Sequence, residues 1–233
     1  MIPEAIVLAG GLGTRLKPVV SGLPKSLAPV AGRPFLAYLL DHSLKQGLSK
    51  FIFALGFRSE QIMDFVKTYL PAGTYSFSTE EEPLGTGGAV FQACALTTSE
   101  NLIVLNADTF FGVSLEALSD LQMKRNPSCT LALKPMRNFD RYGVVETGEN
   151  QVITGFREKK FRESGLINGG VYALHAASFR QKKFPRVFSL EKDFFEKEFP
   201  GEEKLGLISD AYFIDIGVPE DYERAQTELI RNI

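Results

Sequence analysis

A short apolar run, Glu4 to Ala9, breaks into three glycines within four residues, Gly10, Gly11 and Gly13, and the first cations after it are Arg15, Lys17 and Lys25. This transition constrains the fold more than any other feature of the chain. The apolar run reads as a buried β-strand. A strand that opens into a glycine loop carrying Arg and Lys presents backbone N–H groups and positive charge together, a cradle for a polyphosphate. Two familiar phosphate loops do not fit. The dinucleotide fingerprint needs a third glycine where Leu16 stands, and a Walker A loop needs Gly where Pro24 precedes Lys25-Ser26.

The 233 residues suffice for one large α/β domain, or a domain with a small appendage. A net charge of −2 argues against nucleic acid as partner, and no apolar run approaches membrane-span length. The opening Met1-Ile2-Pro3-Glu4 lacks the basic and apolar segments of a signal peptide, so a cytoplasmic protein is expected. Cys94 and Cys129 sit in apolar contexts and read as buried thiols. His42 and His175 have no Cys or His partner at metal spacing and read as structural.

The first half alternates strand and helix. Phe35, Leu36, Leu39, Leu40 and Leu44 form a helical stripe that Gly47 can close. Phe51 to Leu55 and Tyr75 to Thr79 read as strands, Glu60 to Leu70 and Gly88 to Leu96 as helices. Leu102 to Leu105 reads as a buried strand, and Ser114 as the cap of a helix running towards Lys124. Such alternation implies a parallel sheet with helices on both faces. The second half reads as strands at Thr130 to Lys134, Tyr142 to Glu146, Val152 to Phe156 and Gly170 to Leu174. Helices return at Leu190 to Phe199 and Pro219 to Ile230. With no clear linker near residue 135, the expectation is one domain over 1–233, with a nucleotide-binding half to about 135 and a sugar-binding half from about 136.

Two aspartates end apolar strands. Asp108 follows Leu102-Ile103-Val104-Leu105, and Asp215 follows Tyr212-Phe213-Ile214. Ligands of open α/β sheets bind at the carboxyl ends of strands, where such carboxylates can hold a divalent cation over phosphates. An aspartate there also caps turns, and for Asp108 alone that is the better reading; the second aspartate, Asp215, tips the balance towards a metal pair. Glu80-Glu81-Glu82 precedes Pro83-Leu84-Gly85-Thr86-Gly87-Gly88. The acidic run suits a solvated surface, but a carboxylate can also accept both N–H donors on the pairing edge of guanine.

Leu8 to Leu16 with Pro24-Lys25 resembles the signature of the sugar-1-phosphate nucleotidyltransferases. The likeness continues in order through Phe35, Pro83 to Gly88, Asn106-Ala107-Asp108, Arg141-Tyr142-Gly143-Val144-Val145, Glu158-Lys159, Asn168-Gly169-Gly170-Val171-Tyr172 and Asp215-Ile216-Gly217. Val19 to Lys25, Asp108 to Phe111 and Phe213 to Tyr222 are most similar to the members that guanylylate D-glycero-α-D-manno-heptose 1-phosphate.

The resemblance implies an α/β fold, a Rossmann-like mixed, mainly parallel sheet sandwiched by helices with a small sugar-binding lobe. It implies Mg²⁺ held by Asp108 and Asp215, and Arg15, Lys25 and Asp108 as catalytic residues. The nucleotide side would comprise Leu8, Ala9, Gly10, Gly11, Gly13, Thr14, Arg15, Lys25, Ser78, Glu80, Gly85, Thr86 and Asp108. Ser78 stands where several pyrimidine-using relatives carry Gln, which weakens the case for a pyrimidine without establishing a purine. The sugar side would comprise Asn106, Gly143, Glu158, Lys159, Asn168 and Gly169. The expected partners are GTP and a sugar 1-phosphate, with the product feeding cell-surface glycan synthesis, and neither nucleic acid nor membrane. A homo-oligomer stays open.

Three alternatives accompany this reading. The same chemistry could join mannose 1-phosphate to GTP, or a glucose or N-acetylmuramate phosphate to UTP or dTTP. A sugar-nucleotide sensor would have lost cations or carboxylates that this chain keeps. A glycosyltransferase would carry an Asp-x-Asp pair, but Phe110 stands two positions after Asp108.

Overall fold

The computed structural model describes residues 1–11, 16, 20, 22–56, 58–197 and 202–233. Strand β1 (Glu4–Leu8) lies at the centre of the main sheet, and four of its five residues are buried. A two-residue hairpin follows, β2 (Pro29–Val30) and β3 (Arg33–Pro34), leading into α1 (Phe35–Lys45), whose Phe35 to Leu40 are all buried. Then come β4 (Lys50–Leu55), α2 (Ser59–Tyr69), β5 (Tyr75–Thr79), α3 (Gly85–Ala93), β6 (Asn101–Asn106), β7 (Thr109–Phe111) and α4 (Leu115–Arg125). The Ser114 hydroxyl accepts the Ala117 N–H and caps α4 as expected.

The second half supplies β8 (Cys129–Phe139), β9 (Val144–Thr147), β10 (Ile153–Arg157), β11 (Arg162–His175), α5 (Ala176–Gln181), β12 (Lys204–Ile208), β13 (Phe213–Asp215) and α6 (Pro219–Arg231). The main sheet runs β10-β9-β11-β6-β1-β4-β5, with β8 and β12 beyond the other edge of β11. Strands β6, β1, β4 and β5 are parallel. β11 joins β6 antiparallel, which makes the sheet mixed but mainly parallel in the first half of the chain, as expected. Apolar side chains fill both faces. One layer gathers Val7, Phe53, Leu105 and the helices α1 and α2. The opposite layer gathers Ile6, Ile52, Val104 and a run of phenylalanines including Phe179, Phe188 and Phe194.

Some elements depart from the sequence reading. β8 and β11 are far longer than their predicted cores because they pair with each other over most of their length. Cross-strand pairing decides strand length where propensity is neutral. α3 begins at Gly85 rather than Gly88. The Phe188 carbonyl accepts the Gly87 N–H and the Leu84 carbonyl accepts the Phe188 N–H, so a distant segment holds this glycine-rich turn. Of the helix expected over Leu190 to Phe199, Glu191–Phe195 forms one π-helical turn, and residues 198 and 199 lie outside the described residues. Among the described residues, no helix is long and apolar enough to cross a membrane.

Candidate active site

The chain leaves β1, crosses to β4 and β5 on one side, then returns to place β6 on the other. Leu8 and Asn106 are register partners at this switch point, where open α/β sheets bind ligands. A cleft of about 450 Å³ opens there, lined by Leu8, Ala9, Gly10 and Gly11 from one strand end and Asn106 and Asp108 from the other. Lys25, Ser26, Glu80, Gly85, Thr86 and Gly217 complete much of its wall.

Lys25 opens a short 3₁₀ turn, and its ammonium reaches two carboxylates. Nζ lies 2.7 Å from Asp108 Oδ2 and 3.5 Å from Asp215 Oδ1. Only 13% of the Lys25 side chain is exposed, against 41% for Asp108 and 28% for Asp215, so the pairs are shielded on the lysine side and more open on the aspartate side; Asp108 lines the cleft, whereas Asp215 lines a neighbouring cavity. β7 and β13 bring the aspartates together. Asp215 pairs with Thr109 in register, and the Ile216 N–H donates to the Asp108 carbonyl over 3.0 Å. Burial, then the Asp108 charge, push the Asp215 carboxyl above its ordinary range; Lys25 opposes this. Two carboxylates sharing one ammonium leave a net negative charge. That donor set fits a divalent cation, which takes one or two carboxylates and completes its shell with phosphate oxygens and water.

Glu80 follows β5 directly and is the member of the acidic run that lines the cleft. Glu82 instead pairs with Arg186. Glu80 Oε2 accepts the Leu84 N–H over 3.1 Å, which closes the loop and fixes the carboxylate. Burial raises its pKa, and the Leu84 hydrogen bond works against that. The Thr86 hydroxyl donates to Glu191 and accepts the Leu190 N–H, so it ties the loop to the chain around residue 190. Ser78 does not line the cleft: it is buried in β5, where its hydroxyl accepts from Gln92.

On the sugar-predicted side, Asn168 donates to the Tyr172 hydroxyl and accepts the Gly170 N–H. Gly170 has φ +73°, and a Cβ there would come 3.1 Å from Asn106 Nδ2. Gly169 is buried against Phe111. Gly143 packs on the Arg157 carbonyl, and Glu158 and Lys159 are exposed beyond β10; none of these three lines the cleft. Gly13, Thr14 and Arg15 lie outside the described residues, as does Lys17.

Sequence reasoning passed over Ser26, Gly217 and the partner of Tyr142. Ser26 is nearly fully buried and its hydroxyl has no partner among the described residues, and the Gly217 N–H donates to Asp215 Oδ1 over 2.7 Å. The Asp-x-Gly spacing is a local signal for the second. Nothing local marks Tyr142, whose hydroxyl lies 3.4 Å from Asp215 Oδ2, 73 residues away.

A glycine-walled cleft at a sheet switch point, with Lys25 and Asp108 in its wall and Asp215 beside them, has the donors and charge to take phosphate-bearing ligands. The chain matches the nucleotidyl transferase family over residues 4–232 and belongs to it. It is 46% identical to the D-glycero-alpha-D-manno-heptose 1-phosphate guanylyltransferase of Aneurinibacillus thermoaerophilus, across 97% of this chain and 98% of that one. Identity to the Campylobacter jejuni protein of the same name is 41%, across 94% and 96%. The structure of HddC from Yersinia pseudotuberculosis, complexed with GMP-PN, superposes with a TM-score of 0.87 at 31% identity, covering 98% of this chain and all of that one.

Proposed function

We propose that this chain transfers a guanylyl group from GTP to D-glycero-α-D-manno-heptose 1-phosphate. An oxygen of the sugar phosphate attacks the α-phosphorus. The bond from that phosphorus to the α,β-bridging oxygen breaks, and GDP-heptose and pyrophosphate leave. The observation that carries the reading is Lys25 held between Asp108 and Asp215 at the mouth of a nucleotide-sized cleft. The two heptose 1-phosphate guanylyltransferases that match nearly end to end support the choice of substrates.

The nucleophile is already an anion at neutral pH, so no general base is required. That suits a cleft with no histidine among its described lining residues. Catalysis then rests on alignment and charge neutralisation. Lys25 neutralises the α-phosphate, and Arg15 holds the departing phosphates. Asp108 and Asp215 would hold Mg²⁺, which supplies charge neutralisation between the two phosphates. Glu80 reads the guanine edge from the wall of the cleft. Asn106 and Asn168 face the sugar, Glu158 accepts from its hydroxyls and Lys159 meets its phosphate. The last two reach the sugar from the exposed end of β10. The product would serve cell-surface glycans, and the protein would work in the cytoplasm.

The test is pyrophosphate release across a grid of four nucleoside triphosphates and several sugar 1-phosphates. Dominance of the GTP–heptose pair is expected. Dominance of another pair would overturn the substrates and keep the chemistry; silence with nucleotide still bound would overturn the chemistry.

A further inference from the structure

Arg141 and Tyr142 reach the site from the loop between β8 and β9, on the side of Asp215 away from Lys25. A second cavity, of about 350 Å³, lies there between this loop, β13 and the start of α6. The Tyr142 hydroxyl has two neighbours. It accepts from the Arg141 guanidinium over 3.3 Å and donates to Asp215 Oδ2 over 3.4 Å. Arg141 is itself clasped by Asp221 on α6, a carboxylate only 8% exposed that also accepts from Arg224 over 2.9 Å. The Tyr142 ring stands edge-on to Phe213, two residues before Asp215, with centroids 6.0 Å apart.

Asp215 therefore has a partner on each oxygen. Oδ1 takes the Gly217 N–H and faces Lys25, and Oδ2 takes Tyr142. The Gly217 bond alone leaves the carboxylate free to pivot about that oxygen. A second bond on Oδ2 removes that freedom. Partners in the outer shell of a metal site orient its ligands in this way, and losing one typically weakens the metal about tenfold to a hundredfold.

We infer that Tyr142 is a positioning residue for Asp215, and that the Arg141–Asp221 clasp holds Tyr142 in place. The inference rests on the proposed role of Asp215 as a metal-holding carboxylate. The Tyr142 hydroxyl acts through Asp215 and touches neither nucleotide nor sugar.

The test is a Mn²⁺ titration of the full chain, followed by electron paramagnetic resonance, with steady-state kinetics alongside. Tyr142→Phe keeps the ring and its packing and removes only the hydroxyl. It should raise half-saturating Mn²⁺ about tenfold. Excess metal should restore turnover, and the KM for sugar phosphate should stay unchanged. Asp221→Asn should move the same quantity, and the double variant should be no worse than the stronger single one, since residues in one chain of bonds do not act additively. An unchanged Mn²⁺ titration in Tyr142→Phe would overturn the inference. So would a shift in sugar-phosphate KM alone, or effects that multiply in the double variant. Failure of the unmodified chain to bind Mn²⁺ would instead overturn the reading of Asp215 itself, and the inference with it.

Discussion

Lys25 Nζ lies 2.7 Å from Asp108 Oδ2, two groups 83 residues apart in the chain. The same ammonium faces Asp215 at 3.5 Å. A cation and two carboxylates thus meet at the edge of the cleft, where the proposed reaction would need charge neutralised as two phosphates approach. Lys25→Ala and Asp108→Ala should each lower turnover by about two to three orders of magnitude, the usual loss for one electrostatic stabiliser. Pyrophosphate release under saturating substrates measures this. Near-normal turnover in Asp108→Ala would remove it from the metal-holding pair.

If Glu80 reads the base as proposed, nucleotide binding should depend on its protonation. Burial lifts its carboxyl above the ordinary 4.5, opposed by the Leu84 N–H. A raised carboxyl means that the folded chain holds more protons than the unfolded one between those two values. Its contribution to stability is therefore present at low pH and lost as pH rises through the raised value. Guanine binding has the opposite sign, because only the ionised carboxylate accepts both N–H donors. GTP affinity should fall as pH drops through the raised value. Glu80→Gln should flatten that dependence and cut the preference for GTP roughly tenfold to a hundredfold, the worth of a charged hydrogen bond. Isothermal titration with GTP at several pH values, in both proteins, checks it.

Gly85 has a backbone role that no other residue can fill. Its φ is +74°, and a Cβ there would come 2.5 Å from the Phe188 carbonyl oxygen. Gly85→Ala must strain the backbone and also push the Phe188 segment away. A loss of at least about 2 kcal/mol is expected from urea unfolding. An unchanged unfolding midpoint would show that the loop yields without cost.

The two thiols should be silent in the folded chain. Cys94 and Cys129 are free and buried, and burial above all pushes each up to about 12. The thiolate is the reactive form, so a disulfide-exchange reagent at neutral pH should label neither quickly. Denaturant should expose both at once. Rapid labelling of one thiol in the native protein would contradict the packing around it.

Much of the fold was legible in the sequence because burial leaves a periodic trace. The alternation from β1 to β6, the Ser114 cap and the strand-end aspartates all follow from residues close in sequence. Other features left no such trace. β7 has three residues, and β12 begins with Lys204, which donates to the Phe195 carbonyl. Their status as strands depends on partners far away in sequence. The glycine-rich start of α3 reads as a loop until Phe188 supplies its hydrogen bonds.

The sequence by itself determined which chemical groups the chain owns and which strand ends carry them, because side-chain type and hydrophobic period are local properties. Only the tertiary structure decided which groups meet. It put Lys25 against Asp108 and Asp215, kept Glu80 but not Ser78 at the cleft, and set Tyr142 on the far oxygen of Asp215. Those meetings depend on strand order and register. They are fixed by packing among residues scores of positions apart, to which no local pattern refers.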